Sequence, residues 1–166
     1  MSTPNFHQND AWGGLLLRWW QALEEDRGGR AALRRAPDIT AVVMTPAYQH
    51  LHQRLKAAGW PDAEWRKDHL AAAAGLLAHV KQHTQQTPPA AMSQRDGDKP
   101  RVSPLRFMRL LAAPDIDTLF AGLRRTLPLL QHQVDVLALA TDVVNWSDNV
   151  KKRWAYAYDW PAKAGD

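Results

Sequence analysis

The sequence predicts an all-α protein built as two small helical bundles, and three observations carry that prediction. Apolar residues recur at three- and four-residue steps nearly throughout the 166 residues. Capping residues followed by first-turn prolines punctuate the chain at helix-length intervals. No apolar/polar alternation of the kind a strand needs persists beyond a few residues.

The elements follow in order. Trp12, Leu15, Leu16, Trp19 and Leu23 share one face of a first helix, with Asp10 as N-cap and Gly28-Gly29 as its end. A short basic segment, Arg30 to Arg35, stops at Pro37, because proline disfavours the helical region for the residue before it. Thr45, Pro46 and Gly59 mark the cap, first turn and C′ position of the next helix, whose stripe is Ala47, Leu51, Leu55 and Ala58. Another start at Trp60-Pro61 leads into a helix lined on one side by Leu70, Ala73, Ala74, Leu77 and Val80, ending near His83.

Composition then shifts. Thr84 to Arg101 is polar, proline-rich and without period, which predicts a linker or long loop. The expected division is a helical domain over 1–84, a linker over 85–103 and a helical bundle over 104–166. The second bundle opens with Ser103-Pro104 and a Leu105/Met108/Leu111/Ala112 stripe ended by Pro114. Asp115 or Asp117 starts the next helix, with Ile116, Leu119, Phe120, Leu123 and Leu127 in register until Pro128. A helix from His132 to Trp146 follows, then a last one capped by Ser147 and carrying Val150, Trp154 and Ala157.

Composition narrows the chemistry. The chain has no cysteine, which removes disulfides, thiolate nucleophiles and cysteine-based zinc sites together. Residues 1–10 lack the basic start of a signal peptide, and no apolar run approaches the ~20 residues that span a bilayer. A cytoplasmic protein is expected. The seven histidines give no metal motif. His79 and His83 stand four apart, but Val80 occupies the place of the glutamate that two-histidine zinc helices carry. Asp68-His69 lacks a third ligand, and His50 and His52 point to different sides of a helix. Ser93, Ser103 and Ser147 sit in the linker or at caps, with no nucleophile elbow around them. Gly13-Gly14 and Gly28-Gly29 lack the further glycines and lysine of phosphate loops. A non-enzymatic protein with no cofactor and no metal is expected.

The basic residues are the better lead. Lys plus Arg outnumber Asp plus Glu by 21 to 17, for a net charge of +4. They cluster as Arg34-Arg35, then Arg101, Arg106 and Arg109, then Arg124-Arg125, then Lys151-Lys152-Arg153. Arginine's planar fork suits phosphate. Solubility and helix-dipole complementarity explain Arg34-Arg35 and Arg124-Arg125 equally well, since both pairs lie near predicted helix ends. Arg106 and Arg109 share a face expected to lie away from the Leu105/Met108/Leu111 stripe. Trp12, Trp19 and Trp154 fall on apolar stripes and read as packing anchors; Trp20, Trp65 and Trp146 lie at stripe edges.

The order of landmarks resembles the CasB family, the small subunit of the type I-E CRISPR Cascade complex. The resemblance rests on Leu17-Arg18-Trp19-Trp20-Gln21-Ala22-Leu23, Ala31-Ala32-Leu33-Arg34-Arg35, and a Tyr48-to-Trp60 helix closing on Gly59-Trp60. After the linker it continues through Arg106-Phe107-Met108-Arg109-Leu110-Leu111, Leu123-Arg124-Arg125 and Asn145-Trp146. It spans roughly residues 12–160. The resemblance implies a two-part helical subunit without a catalytic centre, a dimer along the belly of Cascade that bridges backbone and large subunits. It also implies a basic surface that holds the guide RNA–target DNA heteroduplex and the displaced strand without sequence preference, in antiviral defence. Arg34, Arg35, Arg106, Arg109, Arg124 and Arg125 occupy matching basic positions; Lys81, Arg101, Lys151, Lys152 and Arg153 join them from charge alone. Two other classes compete: a protein-only assembly scaffold docked through its tryptophans, and a helix-turn-helix DNA-binding regulator.

Overall fold

The computed structural model describes residues 4–162, and these form ten α-helices with four two-residue strands. The fold is predominantly all-α. Helix α1 (Ala11–Ala22) starts where Asp10 accepts the Gly13 N–H at 2.6 Å, and it buries Leu16 and Trp19. It does not run to Gly28-Gly29. A turn over 23–26 leads directly into α2 (Arg27–Arg35), which contains both glycines. The reason is local: the Asp26 carboxylate accepts the Gly29 N–H at 2.9 Å and starts a new helix there. Burial of Leu33 then offsets the weak helix propensity of the glycine pair.

Helix α3 (Ile39–Val43) is capped by Asp38, and α4 (Pro46–Ala57) by Thr45, whose hydroxyl accepts from the Tyr48 N–H at 3.2 Å. Gly59 ends that region at φ +87°, a left-handed conformation that glycine adopts without a Cβ clash. Helix α5 (Glu64–Leu77) forms the centre of the molecule. Residues 70–78 are buried on every side, not along one stripe. Its Ala71–Ala74 run and Gly75 let neighbours approach closely. A Cβ on Gly75 would meet Val42 Cγ2 at 2.8 Å and Phe120 Cε1 at 2.9 Å, so α3 and α8 (Ile116–Thr126) both press on the same turn.

Helix α5 stops at Leu77, so His79 and His83 never share a helix face. His83 lies in β1 (Gln82–His83), which pairs in parallel with β4 (Gln133–Val134). The bend is held by His132, whose carbonyl accepts the N–H groups of Lys81 and Gln82 at 2.8 and 3.3 Å.

The 85–103 segment carries a short helix, α6 (Pro88–Ser93), and a hairpin of β2 (Arg95–Asp96) and β3 (Lys99–Pro100) turned at Gly97. Ala91, Met92 and Val102 enter the core. Tyr158 seals the segment by donating its hydroxyl to the Val102 carbonyl at 2.6 Å. The buried residues form one cluster drawn from both sides of this segment, with α5 packed against α8 and α9 (Val136–Val144).

Helix α7 (Pro104–Leu111) takes a different register from the expected one. Phe107 and Leu110 are buried, while Leu105 and Met108 are 55% and 48% exposed. The helix is apolar on two sides, and tertiary packing decides between them. Phe107 stacks on Tyr158 at 4.2 Å, and Leu110 fills the space left by Gly122 of α8. A 3₁₀ turn over Leu127–Leu130 follows α8 at Pro128, and α9 begins at an Asp135 cap rather than at His132. Helix α10 (Asp148–Ala157) buries Trp154 completely; its indole N–H donates to the buried Asp142 carboxylate at 2.7 Å.

Candidate nucleic-acid interface

The predicted basic residues separate into three groups with different surroundings. The first lies on α2. Arg27, Arg30, Arg34 and Arg35 sit at steps of three, four and one, and together line one shallow recess. Arg30 and Arg34 also border a small recess shared with Trp20, Glu24 and the exposed Lys81. One member, Arg27, was hidden in the sequence because Gly28-Gly29 looked like a break, while Arg30 opens the basic segment already read there. Once both glycines are helical, the spacing from Arg27 to Arg34 makes a continuous arginine stripe.

Part of this group is tethered. Arg34 Nε donates to the Ala78 carbonyl at 2.7 Å. Arg124, from the last turn of α8, donates through Nη1 to the Ala36 carbonyl at 2.8 Å and through Nη2 to the Arg34 carbonyl at 2.7 Å. Its guanidinium thereby caps the C-terminal end of α2, where unpaired carbonyls and the helix dipole favour a cation. Burial, and then the charge of Arg30, loosens Arg34's hold on its proton.

His79 sits beside the tether. Its ring is half-buried, and its Nε2 has no hydrogen-bond partner among the described residues. Burial first, then Arg124, Arg34 and His132, push its pKa down to about 4. Its carbonyl accepts from His132 Nδ1 at 2.8 Å, so that nitrogen carries the proton.

The second group lines a groove of about 430 Å³ between α7 and α8. Arg106, Arg109 and Arg125 border it, with Leu110 and Leu129 among its apolar walls. All three arginines are exposed. Among the described residues none has a carboxylate within 4 Å, and the same holds for Arg27, Arg30, Arg34 and Arg35. Within each of the two groups, arginines without acidic partners repel one another.

The third group is committed to carboxylates. Arg101 Nε lies 3.3 Å from Asp96, with its side chain 11% exposed. Arg153 Nη2 lies 2.7 Å from the buried Asp142, and Lys151 lies 3.8 Å from Asp148. Lys152 is exposed and has no such partner among the described residues.

The remaining side chains that could carry chemistry have structural surroundings. Among the described residues no three His, Asp or Glu side chains converge as metal ligands. His52 is bonded to Asp62 at 2.8 Å and His69 to the Val143 carbonyl at 3.2 Å. Trp19 and Trp154 are core, and Trp20 donates to the Leu77 and Val80 carbonyls. Trp65 is 53% exposed. No helix among the described residues is long and apolar enough to cross a membrane.

Comparison with known proteins agrees with this architecture. No curated protein matches the chain. The fold is similar to that of a chain in the crystal structure of E. coli Cascade bound to a PAM-containing double-stranded DNA target. The TM-score is 0.63 at 19% identity, covering 88% of this chain and 92% of that one. Residues 29–158 match the family model described as CRISPR-associated protein Cse2, and the chain therefore belongs to the Cse2 family of CRISPR-associated proteins, the same small-subunit family that its landmarks resemble under the name CasB.

Proposed function

We propose that this protein is a non-catalytic subunit of a Cascade-type CRISPR complex, in which it holds nucleic acid by its phosphates and bridges neighbouring subunits. The observation that carries the reading is the set of seven arginines without acidic partners, gathered on α2 and in the α7–α8 groove, within a Cse2-family chain. Such a surface is electrostatically costly on its own and is stabilised by a polyanion. It reads no bases, because it presents charge along helix sides and not a set of donors and acceptors fitted to base edges. That suits a subunit supporting a guide RNA–target DNA heteroduplex and a displaced strand, where base pairing itself reads the sequence.

Within this proposal Arg106, Arg109 and Arg125 form the groove contacts. Arg27, Arg30, Arg35 and Lys81 form the stripe contacts, and Arg34 and Arg124 hold the stripe in place. Arg101, Lys151 and Arg153 contribute less, since carboxylates already compensate them, while Lys152 adds a peripheral charge. A dimer along the complex and a cytoplasmic location belong to the same reading.

The test is binding of a single-stranded DNA 30-mer across a salt series. Arg106→Glu/Arg109→Glu is expected to weaken binding ~10-fold or more and to lower the slope of log K against log salt by about 1.4, roughly 0.7 per lost contact. An unchanged affinity together with an unchanged slope removes the groove from the proposal.

A further inference from the structure

The two arginine groups carry the same charge on different walls. The recess over α2 is lined by Arg27, Arg30, Arg34 and Arg35, with Ala31 as its one apolar side chain. The α7–α8 groove sets Arg106, Arg109 and Arg125 around Leu110, Ala113, Gly122 and Leu129. No aspartate or glutamate among the described residues lines either one. Asp115, at the start of α8, is committed to capping: its carboxylate accepts the Thr118 N–H at 2.8 Å.

The apolar wall follows from how the helices meet. A Cβ on Gly122 would come within 2.8 Å of Leu110 Cδ2, so α7 and α8 touch there, and the groove of about 430 Å³ lies along that contact. Thr118, Gly122, Arg125 and Leu129 recur at steps of four, three and four along one side. Leu129, in the 3₁₀ turn after α8, is half-buried and carries the apolar side past the end of the helix. A ligand suited to this groove offers negative charge and an apolar or π face together. A duplex offers phosphates only, since its bases are stacked and paired inside. An unpaired nucleotide offers both, a phosphate for the guanidinium forks and a base face for guanidinium planes and the aliphatic wall. The groove's volume falls within the roughly 300–1,000 Å³ that small-ligand sites occupy.

We infer that the α7–α8 groove takes unpaired nucleotides of a single strand, their phosphates on Arg106, Arg109 and Arg125 and their base faces against Leu110, Ala113 and Leu129, while the α2 recess holds phosphates alone. Contact is with the face of a base and not its edge, so every base is accepted and no sequence is read. The inference rests on the nucleic-acid reading of the arginines and names the form of nucleic acid that one of the two sites takes.

The experiment compares two probes on the full chain by fluorescence anisotropy: a single-stranded thymidine 15-mer and an abasic 15-mer with the same phosphates and no bases. The parent is expected to bind the thymidine strand ~5-fold or more tightly, with equal salt slopes because the phosphates are the same. Leu129→Gln, which makes the wall polar without changing charge, is expected to narrow the ratio to ~2-fold or less, while Leu129→Met keeps it. Arg106→Glu/Arg109→Glu is expected to bring the ratio of the remaining binding close to one, and it serves as the test if Leu129→Gln melts early by circular dichroism. Arg27→Glu/Arg30→Glu is expected to weaken both strands alike and leave the ratio unchanged. Equal affinity of the parent for the two strands overturns the inference while leaving the nucleic-acid reading intact. A preference for bases that survives both groove variants also overturns it, because the base contact would then lie elsewhere. A parent chain that binds neither strand at low salt overturns the reading beneath it as well.

Discussion

The arginines of the α2 stripe and those of the α7–α8 groove carry the same charge in different mechanical settings. In the stripe, Arg34 and Arg124 spend their donors on the carbonyls of Ala78, Ala36 and Arg34, tying the end of α2 to α5 and α8. In the groove, Arg106, Arg109 and Arg125 extend into solvent from two helices whose packing depends on Leu110 and Gly122 rather than on them. The difference teaches that an arginine cluster is not one kind of site. Its tethered members hold geometry, and its untethered members are available to a ligand. Loss of DNA binding on mutation therefore has two causes, separable by whether the fold weakens too.

Arg124→Ala gives the largest expected effect and the sharpest break between the two regions. It removes two charge-assisted bonds and leaves two carbonyls at the end of α2 without their donor. The expected loss is about 2–4 kcal/mol, or a Tm fall of roughly 5–15 °C for a domain of this size. A calorimetric Tm within 2 °C of the parent would show that the tether is dispensable. Arg106→Ala and Arg125→Ala, in contrast, should leave Tm unchanged.

The next effect is specific to the tethered side. A histidine whose folded pKa is about 4 takes up its proton less readily than the unfolded chain does at about 6.5. The fold therefore keeps its full stability above pH 6.5 and loses it progressively as pH falls towards 4. The loss from this one group is at most ~3 kcal/mol. The groove holds no such group. His79→Gln should flatten urea-denaturation stability between pH 6.5 and 4.5 relative to the parent, and an undiminished pH dependence would assign it elsewhere. A smaller effect is expected from Arg27→Glu/Arg30→Glu: ~10-fold weaker DNA binding with unchanged or slightly raised Tm, because two mutually repelling charges leave a stripe that they do not hold together.

The two regions were also unequally legible in the sequence. Signals that act within one turn were readable. Asp10, Thr45, Ser103 and Asp115 cap the helices that their spacing announces, and Gly59 takes the left-handed position expected of it. Signals that depend on competition were not. Leu105/Met108 and Phe107/Leu110 are both helical stripes, and only the stacking of Phe107 on Tyr158, 51 positions later, chooses between them. The Gly28-Gly29 pair obscured the continuity from Arg27 to Arg30, since two glycines end a helix more often than they sit inside one. The tether itself joins residues about 90 positions apart, a distance that no periodicity spans. Arg106 and Arg109 were recoverable because they lie three apart on one exposed helix face, although that face borders the exposed Leu105 and Met108 rather than opposing a buried stripe.

The smallest expected effect tests whether sequence proximity or surroundings decide what a basic residue does. Arg101, Arg106 and Arg109 form one cluster along the chain, yet Arg101 turns into the hairpin against Asp96 while Arg106 and Arg109 border the groove. A cation already neutralised at 3.3 Å by a carboxylate presents little net field to a phosphate, and a pair whose carboxylate side is 60% exposed typically contributes less than about 1 kcal/mol to stability. Arg101→Ala should therefore leave the salt slope of DNA binding unchanged and alter affinity less than ~2-fold, whereas Arg106→Ala should lower the slope by about 0.7. Equal slopes lost from the two variants would mean that the Asp96 pair opens on binding. The hairpin over 95–100 would then belong to the nucleic-acid surface, and the contrast would be drawn between the tethered Arg34–Arg124 pair and everything else.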